Sequence, residues 1–340
     1  MGRPSSNSKK MRNLVGILKD KVSLIKATLL LSKKSATFNV AVLRVTTHFP
    51  VDPPPEAAVD DVLALGHHHQ PGASAVVGSL LRRLRRTQNV YVALKCLLTL
   101  HHILARGSPV LKDQISSAIG PHNNLLNLSN FRDESDPDTW EISAWVRWYA
   151  AVLEQGLLLD HRSPSASQNG ETLGQRISTT TLLNEMGLLV GMVEQICQSP
   201  ESLHYQKINL VHEVMRLVGE DYRMTMREIL ARIAELGKRI DDLSDEELND
   251  VWFGLKKLEE CKEKVVLMFL NKKMNDGGWD LIAQMSKDVE GVKHRRASLR
   301  LVKFQGSGST RLGGEIIPLR TRGKRWLDVP WNPLVVPQAC

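Results

Sequence analysis

The sequence predicts an all-α protein, a solenoid-like stack of helices followed by a basic, disordered tail. Three observations predict this. Apolar residues recur three and four apart through most of the first 282 residues, the period of helices with one buried face. Clear β alternation of apolar and polar residues is absent. The segment VYVALKCLLTLHHILARG is almost continuously apolar from Val90 to Leu104 and stops at Gly107. It is too long for a strand and shorter than the roughly 18–20 apolar residues a membrane-spanning helix needs, so it reads as a helix buried on most sides.

In chain order, Leu14, Val15, Leu18, Val22, Ile25 and Leu29 lie at helical spacing between lysines, giving an amphipathic basic helix from Arg12 to Leu31. Ser35 or Thr37 caps a second helix ending near His48. Pro50, Pro53, Pro54 and Pro55 then force an extended loop, because proline removes a donor and restricts the residue before it. Short helices follow at 56–66 and 73–87, separated by His67, His68, His69 and Pro71-Gly72. The buried helix at 90–106 and another at 109–118 come next. After an asparagine-rich connector, Asp138 or Thr139 caps a 139–160 helix, with Glu141 behind it. Trp145 and Trp148 are three apart and share a face, expected to pack on the 90–106 helix.

Residues 161–176 (HRSPSASQNGETLGQR) read as a flexible polar loop. Apolar spacing resumes over 178–198, 203–218, 222–240 and 245–270. After Ile282 the chain is rich in glycine, arginine and proline without a helical period. The expected organisation is one helical domain over 1–285 and a disordered basic tail over 286–340.

The net charge of +8 is unevenly spread. Residues 1–50 carry ten Lys/Arg against the single acid Asp20, and residues 287–340 carry eleven against four acids, so the middle is acidic. Basic ends on an acidic body point to anionic partners, a phosphoinositide surface or a nucleic acid. The Arg-rich tail lacks the interleaved aromatics or groove-reading helix of a nucleic-acid binder, so no nucleic-acid partner is expected. Cys96, Cys197, Cys261 and Cys340 lie far apart with no CxxC pair, and lysines interrupt any apolar leader. A reduced, cytoplasmic protein is expected.

The run from the Val90 helix through LLNLSNFRDESD to WVRWYAAVLE is distinctive. With SATFNVAVLRVTTHFPVDPPPE upstream and LVHEVMRLVGEDYRMTMREILARIAELGKRIDDL downstream, it resembles the ANTH domain of clathrin-assembly proteins, closest to the plant branch, from about Lys10 to Ile282. The resemblance implies the right-handed helical stack of the ANTH/ENTH superfold. It implies a phosphoinositide- and anionic-membrane-binding adaptor in clathrin-coated vesicle assembly and endocytosis. Clathrin, cargo and SNARE proteins are the implied partners. The implied location is peripheral, on coated pits or vesicles of the plasma membrane or Golgi. The alternative is a helical protein-interaction scaffold without specific lipid recognition.

The family's lipid site begins with a Lys-Ala-Thr-x-His stretch; here Arg44-Val45-Thr46-Thr47-His48 stands in its place. Pro54, Glu56 and Ala57 stand where the family carries two lysines and a histidine, removing charge-assisted contacts to phosphate. Lys19, Lys26 and Lys33 are seven apart, with Lys21 near the edge of their face. The lipid-binding candidates are therefore Lys19, Lys21, Lys26, Lys33, Arg44 and His48. Met1-Gly2-Arg3-Pro4-Ser5-Ser6 fits a myristoylation pattern at Gly2.

No enzyme, cofactor or metal site is expected. His212-Glu213-Val214-Met215-Arg216 ends in Arg where a zinc-protease helix has a second His. His101 and His102 are adjacent on a helix and point about 100° apart, so they do not share an ion. Trp279-Asp280-Leu281-Ile282 and Trp331-Asn332-Pro333-Leu334 are only near matches to the family's clathrin and adaptor motifs.

Overall fold

The computed structural model describes residues 6–30, 33–67, 70–119, 126–162, 178–201, 208–269 and 276–306. The described residues hold α-helices and no strand, so the fold is all-α. They group into two compact units: residues 1–161 with 198–221, and residues 162–197 with 222–340.

In the first unit, α1 (Ser6–Leu30) packs on α2 (Lys33–Val45), which in turn meets α3 (Glu56–Leu65) and α4 (Gln70–Arg86). α5 (Val90–Arg106) lies against α2, α3, α4 and α6 (Pro109–Ile119). α5 is buried almost all round, including Lys95, Thr99 and His101. Asn89 caps it, accepting from the Val92 amide at 3.0 Å. At Gly107 a Cβ would sit 2.3 Å from the Ile103 carbonyl oxygen, so only glycine ends the helix this way.

The asparagine-rich connector is organised by buried Asp133. Its carboxylate accepts from the Val90 amide at 2.9 Å and from the Ser135 amide at 3.1 Å, and its own amide donates to Ser143 Oγ at 2.9 Å. One residue thus ties the connector to the start of α5 and to α7 (Pro137–Arg162). The cap of α7 is Asp136 rather than Asp138 or Thr139. Asp136 accepts from the Thr139 amide at 2.8 Å, and Thr139 Oγ1 accepts from the Asp136 amide at 3.1 Å. Pro137 then fills the first helical position, where a missing N–H is harmless. Trp145 and Trp148 are both buried and meet edge to face. A direct bond from α7 to α5 is that of Tyr149 Oη with His101 Nδ1, at 2.9 Å.

In the second unit α8 (Thr179–Cys197) packs on α10 (Asp245–Met268), and α10 on α11 (Asp276–Gly306). Ser244 and Glu247 form a reciprocal capping box at the start of α10. Among the boundaries that differ from the sequence expectation, three matter here. α2 begins at Lys33, so Ser35 and Thr37 lie inside it. α9 (Asn209–Gly237) is one helix through 219–221. Gly219 costs a helix about 1 kcal/mol relative to Ala, less than the burial of Leu217, Val218, Tyr222 and Met226 around it returns.

The third difference is α11, which runs past the 285/286 boundary to Gly306. Trp279, Ile282, Met285, Val289 and Val292 form its buried stripe. Its basic run docks on the turn before α10. Arg296 donates to the carbonyls of Leu243 (2.6 Å) and Asp241 (2.7 Å) and to Asp245 (3.0 Å), and Arg300 also pairs with Asp245. The expected 161–176 loop and the tail beyond 306 lie outside the described residues, apart from the end of α7.

Candidate membrane-binding surface

α1 is mounted with its main apolar stripe outward and Asp20 on its inner side. Ala27 is buried and Ile17 and Leu24 are half-buried, whereas Met11, Leu14, Val15, Leu18, Val22, Ile25 and Leu29 are all exposed, from 42% at Val22 to 76% at Leu29. At about 100° per residue these seven share a single stripe. A soluble helix ordinarily turns such a stripe to the core, and a contiguous exposed apolar patch marks an interaction surface.

What holds α1 this way round is Asp20. Its carboxylate accepts from the His48 amide at 2.8 Å and meets His48 Nδ1 at 2.6 Å, with Arg83 Nη2 at 3.6 Å. Gly16 permits the approach, since a Cβ there would lie 3.1 Å from His48 Cβ. The turn after α2 is fixed in the same manner. Arg83 Nε donates to Thr46 Oγ1 at 2.7 Å and its Nη2 to the Thr46 carbonyl at 2.8 Å. Buried Lys95 donates to the Pro50 carbonyl at 2.6 Å and to Thr47 Oγ1 at 3.2 Å. Burial pushes the Lys95 ammonium down to about 8, and desolvation likewise lowers Arg83.

Lys19, Lys21 and Lys26 are exposed. On the helical wheel Lys19 and Lys26 fall on one flank of the apolar stripe and Lys21 on the other. Lys33 is the first residue of α2, and its side chain, like Gly2, lies outside the described residues. Arg44 is exposed at the end of α2 and lines a groove with Thr28 and Asp61. His48 lines a different groove with Lys19 and is engaged with Asp20. The two residues paired by the sequence motif therefore open onto separate grooves.

In the following loop Glu56 begins α3 and pairs with Arg106 at 3.2 Å, so this edge presents a carboxylate where the family motif has lysine. A feature absent from the sequence reading is the run Leu81-Arg82-Arg83-Leu84-Arg85-Arg86 at the end of α4. Its Arg82, Arg83 and Arg86 line the same open groove as Lys19 and His48, a space of about 540 Å³. The doubled arginines were a visible signal; their convergence with α1 was not.

His101 lies between Tyr149 and Asp221, burial pushes His102 down to about 4, and Arg216 pairs with both Glu213 and Glu220. Among the described residues no group of three His, Cys, Asp or Glu could hold a metal ion, and no helix is long and apolar enough to cross a membrane.

Residues 37–250 match the family model described as ANTH domain. Two Arabidopsis thaliana proteins named "putative clathrin assembly protein" are similar over most of the chain. One is 37% identical over 303 residues, covering 84% of this chain and 81% of its own. The other is 28% identical over 305 residues, covering 84% and 87%. A third, named "probable clathrin assembly protein", is 34% identical over 149 residues, 44% of this chain and 23% of its own. With the family model matching more than half of the chain and a 37% identical relative covered over four-fifths of its length, this chain belongs to the ANTH domain family.

Proposed function

We propose that the protein is a peripheral adaptor that docks on anionic, phosphoinositide-bearing membranes through α1 and serves clathrin-coat assembly there. The observation that carries this reading is the exposed stripe of seven apolar residues on α1, flanked on both sides by lysine. A helix of this kind lies in the membrane plane with its apolar face among the upper acyl chains. Each basic residue near an anionic leaflet adds about 1 kcal/mol, and buried apolar area adds roughly 25 cal/mol per Å². The clathrin part rests on the names of the relatives.

Co-sedimentation of the full chain with phosphatidylserine vesicles tests the membrane part. Binding should weaken steeply as salt rises, because exposed charges are screened beyond about 8–10 Å at physiological ionic strength. Lys19→Glu with Lys26→Glu should abolish it, and Arg44→Ala should reduce it partially. Binding that ignores both salt and the double variant overturns the reading. Capture of the full chain by the clathrin terminal domain tests the coat part, and failure of capture removes it.

A further inference from the structure

The last turns of α11 set one serine among arginines. Arg295-Arg296-Ala297-Ser298-Leu299 places arginines two and three residues before Ser298 and a leucine directly after it. No other serine or threonine of the chain has arginine at both of those positions. The rigid, permanently charged fork of arginine is the group that carboxylates in an enzyme cleft select, so a partner enzyme can read this spacing.

The fold leaves the serine open. From His294 to Arg300 every side chain except half-buried Arg296 is exposed. Ser298 Oγ donates within its own helix, to the His294 carbonyl at 3.0 Å. The buried stripe of α11 ends at Val292 among the described residues. Beyond it the helix is held at the surface, by Arg295 with Asp241 at 3.6 Å and by Arg296 and Arg300 with Asp245 and the turn before it. Surface contacts of this kind give way easily, so these turns can open without unfolding the rest of the unit.

We propose that Ser298 is a phosphorylation site for an arginine-directed serine kinase. ATP supplies the phosphoryl group. The serine hydroxyl gives its proton to the kinase's base as its Oγ bonds to the γ-phosphorus, and the bond from that phosphorus to the β–γ bridging oxygen breaks to release ADP. Residues 291–306 hold five Lys/Arg and no acid. A phosphate carries about −1.5 to −2 charges at neutral pH and removes a large part of that positive charge. It also stands one helical turn from Arg295, where it competes with Asp241 for the guanidinium.

The test incubates the full chain with Mg-ATP and the catalytic subunit of cyclic-AMP-dependent kinase, an arginine-directed probe, and maps phosphate by tandem mass spectrometry. Ser298 should be the first site modified, and Ser298→Ala should lose that phosphate. Arg295 is 68% exposed, so Arg295→Ala should melt like wild type while slowing transfer at least tenfold. An unchanged rate in that variant overturns the arginine reading. Thr87 follows Arg85 and Arg86 but is half-buried and accepts the Asn89 amide at 3.1 Å, so phosphate at Thr87 ahead of Ser298 overturns the accessibility argument. Transfer to the full chain more than a hundredfold slower than to a peptide of residues 291–303 would show that α11 stays closed, and also overturns it. In the full chain recovered from Arabidopsis thaliana cells under phosphatase inhibition, phosphate at Ser298 is expected, and its absence overturns use of the site in cells.

Discussion

Replacing Asp20 by Ala removes the contact that fixes which side of α1 faces inward. The carboxylate is only 12% exposed and receives two hydrogen bonds from His48, with Arg83 Nη2 at 3.6 Å. Hydrogen bonds to a charged group contribute about 1.5–3 kcal/mol each, and water reaching a partly exposed site returns some of that. A net loss of about 3 kcal/mol is the working figure, equal to roughly a 150-fold change in an equilibrium constant. Apart from this contact α1 rests on α2 with few buried residues among those described: Ala27 is 7% exposed, and Ile17 and Leu24 are half-buried. The loss should therefore appear as local detachment rather than global unfolding. Native-state hydrogen exchange reads this directly: amides of 17–28 should exchange on the order of 100-fold faster while those of 90–106 stay unchanged. Asp20→Asn, which keeps an acceptor oxygen, should fall between. Wild-type exchange in α1, or equal acceleration in α5, would refute the anchoring argument.

Asp133→Ala strands the Val90 and Ser135 amides and should lower global stability by about 2–4 kcal/mol in denaturant titration; a loss under half a kcal/mol would mean the connector is held otherwise. Trp145 is fully buried, and its indole N–H has no hydrogen-bond partner. Trp145→Ala should then cost about 3–5 kcal/mol, whereas Trp145→Phe removes an unpaired donor and should cost far less; equal losses for the two would contradict this. Lys95 has its folded value lowered to about 8 from an ordinary 10.5. Between those values the folded chain binds fewer protons at this site than the unfolded chain, so stability from this site rises with pH there. The stability of wild type relative to Lys95→Met should be lowest and flat below pH 8 and climb toward pH 10.5. A difference independent of pH would show that Lys95 is not desolvated.

What the sequence made legible was local. The 90–106 helix is read correctly to the residue because its apolar run, the preceding Asn89 and the closing Gly107 all point one way. The apolar spacing lapses between 218 and 222, yet α9 runs through as one helix because buried residues flank that gap on both sides. The stretch after Ile282 reads as tail because its composition is rich in glycine, arginine and proline without a helical period, yet α11 continues to Gly306 and its last turns are basic. Their partners, Asp241 and Asp245, lie some fifty residues away and give those charges a docking site. The same distance problem governs the candidate surface. The lysines and apolar residues of α1 were visible as an amphipathic helix, but the direction of its apolar face is set by Asp20 meeting His48 twenty-eight residues on. His48 was read as a partner of Arg44 from their adjacency in a motif, and the end of α2 turns them to separate grooves. Arg82 and Arg86 become interesting only once α1 brings Lys19 beside them.

The central claim, that the outward apolar stripe of α1 enters the membrane, is tested most directly by an environment-sensitive fluorophore placed along that helix. Single cysteines at Leu18, Ile25 and Ser23 can be labelled after Cys340→Ser, since Cys96, Cys197 and Cys261 are buried. Ser23 lies off the stripe on the half-buried side. On adding phosphatidylserine vesicles, labels at 18 and 25 should shift to the blue and brighten, while the label at 23 stays unchanged. Bound protein whose labels at 18 and 25 keep their aqueous emission would contradict the account.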